Sequence, residues 1–122
     1  MSSSLNDGLV LAALETLPRD GLLAVDAPLD GEAAPLILHR AADGGVRAWL
    51  NVCPHAGRRL DYAPGMFLRG KAGELVCAVH GASFALDDGC CVAGPCRGQS
   101  LRAVAVHCAD GQVRLGAAPA DQ

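Results

Sequence analysis

The sequence predicts a small all-β domain, a sandwich or barrel of short antiparallel strands, on three observations. Six or more strand-length apolar runs are separated by turn residues at short intervals. The 15 glycines and 7 prolines demand many turns. Aromatic residues supply only 3% of a chain that is 51% hydrophobic, so Ala, Val and Leu must fill the core, a composition of loop-rich β proteins more than of helical bundles.

The elements follow in order. Leu9 to Leu17 has a periodicity compatible with helix but runs into the turn Pro18-Arg19-Asp20-Gly21, and is read as a strand. A short apolar run, Leu22 to Val25, comes next. Pro35 to Arg40 and Val46 to Leu50, joined by Asp43-Gly44-Gly45, form a hairpin that leads directly to Cys53. Glu74 to Cys77, Ser83 to Leu86, Leu101 to His107 and Gln112 to Leu115 complete the strands, with Asp87-Asp88-Gly89 and Ala109-Asp110-Gly111 as turns.

The 122 residues suffice for one compact core and are few for two, so a single domain spanning 1–122 is expected, frayed at about 1–7 and 116–122. A net charge of -3 without a Lys/Arg block excludes nucleic acid as a natural partner. No apolar stretch approaches a membrane span and the N-terminus lacks a basic region, which predicts a cytoplasmic protein. In a reducing compartment the six cysteines point to metal binding more than to a disulfide framework.

Two clusters hold the chemistry: Cys53-Pro54-His55 and Cys77-Ala78-Val79-His80, each on a predicted loop. A thiolate and an imidazole from each loop make a four-ligand S₂N₂ set, which suits either zinc or an iron-sulfur centre. Geometry alone does not choose between them.

Cys-x-His followed by Cys-x-x-His resembles the signature of the Rieske family, in which two His replace two Cys on one iron. Cys53-Pro54-His55-Ala56-Gly57-Arg58-Arg59-Leu60 is similar to the first cluster loop, His80-Gly81-Ala82-Ser83-Phe84 to the second, and Gly94-Pro95 to the proline loop that shields the cluster. The likeness spans about Leu36 to Leu115. It implies a Rieske-like antiparallel sandwich or barrel with two cluster-binding loops and a proline loop, holding one [2Fe-2S] cluster. Cys53 and Cys77 would ligate the inner iron, His55 and His80 the outer, solvent-facing one.

Departures from the family pattern bear on potential. The high-potential branch ties its cluster loops with a disulfide at the positions of Arg58 and Val79 here, and places hydroxyl donors where Ala82 and Phe84 stand. Without those donors the potential is expected at the low end of roughly -150 to +300 mV, as in Rieske ferredoxins. Asp61 to Gly73 lengthens the gap between the motifs and is read as an enlarged loop beside the cluster.

Outside the ligand set, His39 and His107 are assigned no function, and Trp49 is a core anchor. Cys90, Cys91, Cys96 and Cys108 read as small buried hydrophobes or inert thiols, with a redox or disulfide role kept open for Cys90, Cys91 and Cys96 near the proline loop. Arg58, Arg59 and Arg97 could form a basic docking rim around the exposed His pair.

The resemblance thus implies an electron-transfer protein with no catalytic residue or small-molecule substrate of its own, passing single electrons from a reductase to a terminal oxygenase or similar oxidoreductase. The alternatives are a permanent Rieske subunit of an oxygenase or nitrite reductase complex, or a structural zinc module. A complete Rieske oxygenase is excluded, because a mononuclear iron needs two further His and a carboxylate, and only His39 and His107 remain in 122 residues.

Overall fold

A computed structural model describes residues 8–29, 31–41, 44–54, 57, 59–77, 81–94 and 98–117. Among them, eleven short strands form three antiparallel sheets, interrupted by a single 3₁₀ turn at Leu14–Thr16. The chain divides into two compact units, residues 1–48 with 104–122, and residues 49–103.

In the first unit, β1 (Val10–Ala13) pairs with β11 (Gln112–Leu115), and β11 pairs with β10 (Val106–Ala109). The β10–β11 connection is the two-residue turn Asp110-Gly111, with φ of 54° and 74°. Two successive left-handed residues are what a tight hairpin matched to strand twist requires, so the Asp-Gly pair specifies it. The Leu9 to Leu17 segment is part strand, as expected. It turns 3₁₀ at Leu14, where β1 has finished pairing with β11.

β2 (Leu22–Leu29) and β3 (Glu32–Arg40) pair in register from Leu22↔His39 to Leu29↔Glu32. β2 is twice as long as the apolar run Leu22 to Val25 and continues through Asp26 and Pro28. β2 lies at the edge of its sheet, where a proline without an N–H forfeits little of the ladder. The core of this unit is aliphatic: Leu17, Leu38, Ala48 and Val113 are buried, with Leu11, Leu23, Val25 and Val106 among the residues packed on them. His39 is buried and its Nε2 meets Asp20 Oδ1 at 2.9 Å, while the His107 Nδ1 lies 2.7 Å from the Gly116 carbonyl oxygen. Both histidines therefore make contacts within the fold.

β4 (Val46–Leu50) takes the chain into the second unit and β9 (Ala103–Val104) takes it out, and the Leu50 N–H donates to the Arg102 carbonyl at 2.8 Å. Between them, β5 (Leu68–Arg69), β6 (Leu75–Val76), β7 (Ser83–Phe84) and β8 (Cys91–Ala93) make a sheet in chain order. Its strands are two or three residues long because most of this unit is turn. Phe84 and Leu75 are fully buried, and Trp49 is buried as the core anchor it was expected to be. Gly89 is required beside it, since a Cβ there would stand 2.6 Å from the Trp49 Nε1.

Candidate metal centre

All the residues assigned to the site fall within the second unit's span of 49–103. Cys53, Cys77, Arg59 and Gly94 are described, whereas His55, His80, Arg58, Pro95 and Arg97 lie outside the described residues.

The two cysteines stand at the head of matching turns. The Cys53 carbonyl accepts the Gly57 N–H at 2.8 Å, and the Cys77 carbonyl accepts the Gly81 N–H at 2.9 Å. Each turn closes on a glycine in the left-handed region, φ 67° at Gly57 and 75° at Gly81, where a side chain would be strained. The sequence therefore builds one backbone device twice. Both cysteine side chains are fully buried and neither belongs to a disulfide. Buried thiols at the heads of two equivalent turns fit a cluster that takes one thiolate from each loop.

Different contacts brace the two loops. Behind the first, Asp61 is a hub whose side chain is 1% exposed. Its carboxylate accepts Nε and Nη2 of Arg59, both at 2.9 Å, Nδ2 of Asn51 at 3.2 Å and the Gly65 N–H at 3.1 Å. Asn51 Oδ1 in turn accepts the Leu60 N–H at 2.8 Å. The Arg59 guanidinium, helped by the Gly65 and Asn51 donors, outweighs burial and lowers the Asp61 carboxyl to about 2. Arg59, placed in the docking rim from sequence, is thus committed to this ion pair.

Behind the second loop, the Cys77 N–H donates to the Ala82 carbonyl at 2.7 Å, and the strand that follows pairs Ser83 with Ala93. Gly94, the first residue of the proline-loop motif, approaches so closely that a Cβ on it would lie 2.8 Å from the Ala82 Cα and 3.0 Å from the Gly81 carbonyl oxygen. Ala82 and Phe84 are both fully buried, with no hydroxyl to offer a sulfur.

The segment Asp61 to Gly73 is more ordered than an enlarged loop. Ala63 bridges Met66, β5 adds a strand to the sheet, and Arg69 donates from Nε and Nη2 to the Gly73 carbonyl. Sequence reasoning missed the Asn51–Asp61 hub, whose only trace is the Arg59-x-Asp61 charge pair next to the motif. It also leaned the wrong way on Cys91, which is disulfide-bonded instead of an inert thiol, while Cys90 and Cys108 carry no disulfide.

A family model for the Rieske [2Fe-2S] domain matches residues 10–114. The chain belongs to the Rieske [2Fe-2S] domain family. Membership implies one [2Fe-2S] cluster, in keeping with the two buried thiols.

Among curated relatives, the large oxygenase component of a naphthalene 1,2-dioxygenase system from a Ralstonia species is 45% identical over 49 residues, 40% of this chain and 10% of that protein. The oxygenase subunit of a Pseudomonas aeruginosa glycine betaine monooxygenase is 40% identical over 53 residues, 43% of this chain and 11% of that protein. The matched stretch of this chain thus spans about a tenth of the length of these curated relatives.

Among solved structures, the ferredoxin of carbazole 1,9a-dioxygenase from Nocardioides aromaticivorans IC177 superposes with a TM-score of 0.68 at 24% identity, covering 92% of this chain and 99% of that one. The terminal oxygenase of carbazole 1,9a-dioxygenase from Novosphingobium sp. KA1 gives 0.74 at 21% identity, covering 95% of this chain and 31% of that one. The Rieske fold expected from the motifs is therefore the fold observed. Among the described residues, no helix is long and apolar enough to cross a membrane.

Proposed function

We propose that this chain is a one-electron carrier that holds its [2Fe-2S] cluster on Cys53, His55, Cys77 and His80, and passes electrons from a reductase to a terminal oxygenase or similar oxidoreductase. The observation behind this reading is the pair of matching turns, Cys53 to Gly57 and Cys77 to Gly81, with both thiols buried. A bound cluster of this class accepts and returns single electrons. The protein's part is to bury the sulfurs, to fix the ligand turns and to leave the histidine edge toward a partner. Near-full coverage of a ferredoxin of similar length supports the free-carrier form.

Cys53 and Cys77 are fully buried, and the buried Ala82 and Phe84 carry no hydroxyl. Negative charge on reduction is then poorly compensated, which supports a potential at the low end of the family range. Arg58 and Arg97 remain as rim charges for steering a partner, with Arg59 largely neutralised by Asp61.

A second reading, a permanent subunit of a larger oxidoreductase, draws on the exposed Tyr62, Met66 and Leu68, which one segment next to the first loop presents to solvent. Tight co-purification with a large subunit supports it, and a free monomer rules it out.

The deciding experiment is electron paramagnetic resonance of the dithionite-reduced protein with metal analysis of the same sample. A rhombic signal of mixed His/Cys type with about two irons per chain supports the carrier. A silent spectrum with one zinc per chain overturns it.

A further inference from the structure

Asn51, two residues before Cys53, is a polar side chain that is fully buried. It is the first residue after β4, whose last residue is itself held by the Leu50 N–H on the Arg102 carbonyl. Its carboxamide uses both ends on the chain that returns from the first cluster loop. Oδ1 accepts the Leu60 N–H at 2.8 Å, nine residues on, and Nδ2 donates to Asp61 Oδ1 at 3.2 Å. The orientation is forced, because a backbone N–H only donates and a carboxylate only accepts, so the oxygen faces Leu60 and the nitrogen faces Asp61. Arg59, bonded to both carboxylate oxygens at 2.9 Å, keeps Asp61 in the charged form that makes this choice.

The two cluster loops therefore close at their bases by different means. The second closes through main chain, with the Cys77 N–H on the Ala82 carbonyl at 2.7 Å. At the first, the Asn51 side chain stands in for a peptide group, and Cys53 with its turn to Gly57 lies between the two ends of the bridge it makes. We propose that Asn51 is a positioning residue for the cluster: its carboxamide latches the base of the first loop and so fixes where Cys53 presents its sulfur. The inference deepens the carrier reading and rests on Cys53 being a ligand. Without the carboxamide, the buried Leu60 N–H loses its acceptor and Asp61 loses a donor. Loss of a buried partner of this kind should raise opening of the first loop roughly five- to a hundredfold and leave the second loop, with its main-chain closure, unchanged.

The first test needs no variant. Hydrogen exchange of the native holoprotein, resolved to single amides by fragmentation mass spectrometry, should find the Leu60 N–H protected like the Cys77 N–H, its counterpart at the second loop. A Leu60 amide exchanging at the rate of an open loop overturns the latch. The second test compares Asn51→Ala with Leu86→Ala, a control at a residue buried in the same unit. Electron paramagnetic resonance of the reduced proteins reads the ligand geometry, and alkylation under a chelator reads the release of each cysteine. Asn51→Ala should shift the g values and label Cys53 roughly five- to a hundredfold faster than wild type, with Cys77 unchanged. Leu86→Ala, although destabilised, should keep the wild-type g values. Wild-type g values in Asn51→Ala, an unchanged Cys53 rate, equal acceleration at Cys77, or the same g shift in Leu86→Ala each overturns the positioning role. If Asn51→Ala does not fold, the Leu60 exchange decides alone. If the wild-type protein holds no iron, the carrier reading fails, while the Leu60 exchange still decides whether Asn51 closes the loop.

Discussion

Replacing Asp61 by Asn keeps the shape of the hub and removes its charge, so its effect can be worked from the structure. The Asp61 carboxyl lies at about 2 in the folded protein, against an ordinary aspartate near ~3.9 in the unfolded chain. The folded state therefore prefers the carboxylate, and the preference contributes about 2 kcal/mol at neutral pH. Because the folded value is the depressed one, this stability is fully present above the ordinary aspartate range. It fades as pH falls toward 2, with roughly half gone by pH 3. For a chain of this size the loss in Asp61→Asn corresponds to a fall in Tm of about 6–10 °C at pH 7.

The assay is urea unfolding followed by the fluorescence of Trp49, the single tryptophan, which is buried in the same unit as the hub. The gap between wild type and Asp61→Asn should be about 2 kcal/mol at pH 7 and shrink by about half at pH 3. Equal stability at pH 7, or a gap that does not change with pH, refutes the claim that Arg59, Asn51 and Gly65 hold a charged Asp61.

Gly94→Ala forces a Cβ to within 2.8 Å of the Ala82 Cα at a φ of +92°, at a cost of roughly 1–3 kcal/mol; faster cluster loss to a chelator than in wild type checks it. The reduction potential should fall by about 60 mV per pH unit above the oxidised-state histidine pKa, and film voltammetry that stays flat to strongly alkaline pH counts against solvent-facing His55 and His80. Neutralising Arg58 and Arg97 together should flatten the ionic-strength dependence of reduction by a protein partner, whereas Arg59→Gln, already paired with Asp61, should change stability more than that slope; stopped-flow rates across salt compare the two. Ala82→Ser should shift the midpoint upward in a redox titration if its hydroxyl reaches a sulfur, and an unmoved midpoint would sink the missing-donor account of low potential.

The fold was legible where a short-range rule decides it. Asp110-Gly111 must turn, Val46 to Leu50 must lead into Cys53, and Cys53 and Cys77 stand outside the strands. What escaped depended on partners distant in the chain. Asp26 and Pro28 look like breakers until β3 lies alongside an edge strand that tolerates them. β5 and β8 are too short for periodicity to reveal and exist only because neighbouring strands offer hydrogen-bond partners. Asp61 reads as a loop charge until Asn51, ten residues earlier, donates to it. Cys91 could not be told from an inert thiol by composition, since compartment arguments weigh all cysteines alike.

The two cluster loops share a backbone design and differ in what stands behind it. Gly57 and Gly81 close equivalent turns, so the backbone beside Cys53 and beside Cys77 is set by the local chain. The first loop is followed by a charged hub, Asn51-Arg59-Asp61, whose strength depends on pH and ionic state. The second is backed by contact without charge, Gly94 on Gly81-Ala82, anchored by a strand whose first residue is disulfide-bonded. Acid should therefore weaken the support of Cys53 and leave that of Cys77 intact, and a dithiol should do the reverse. Footprinting Cys53 and Cys77 by alkylation during cluster loss separates the two: Cys53 labelled first at low pH, Cys77 first under dithiothreitol. The same order under both conditions would mean that the loops open as one and that their separate bracing has no consequence for the cluster.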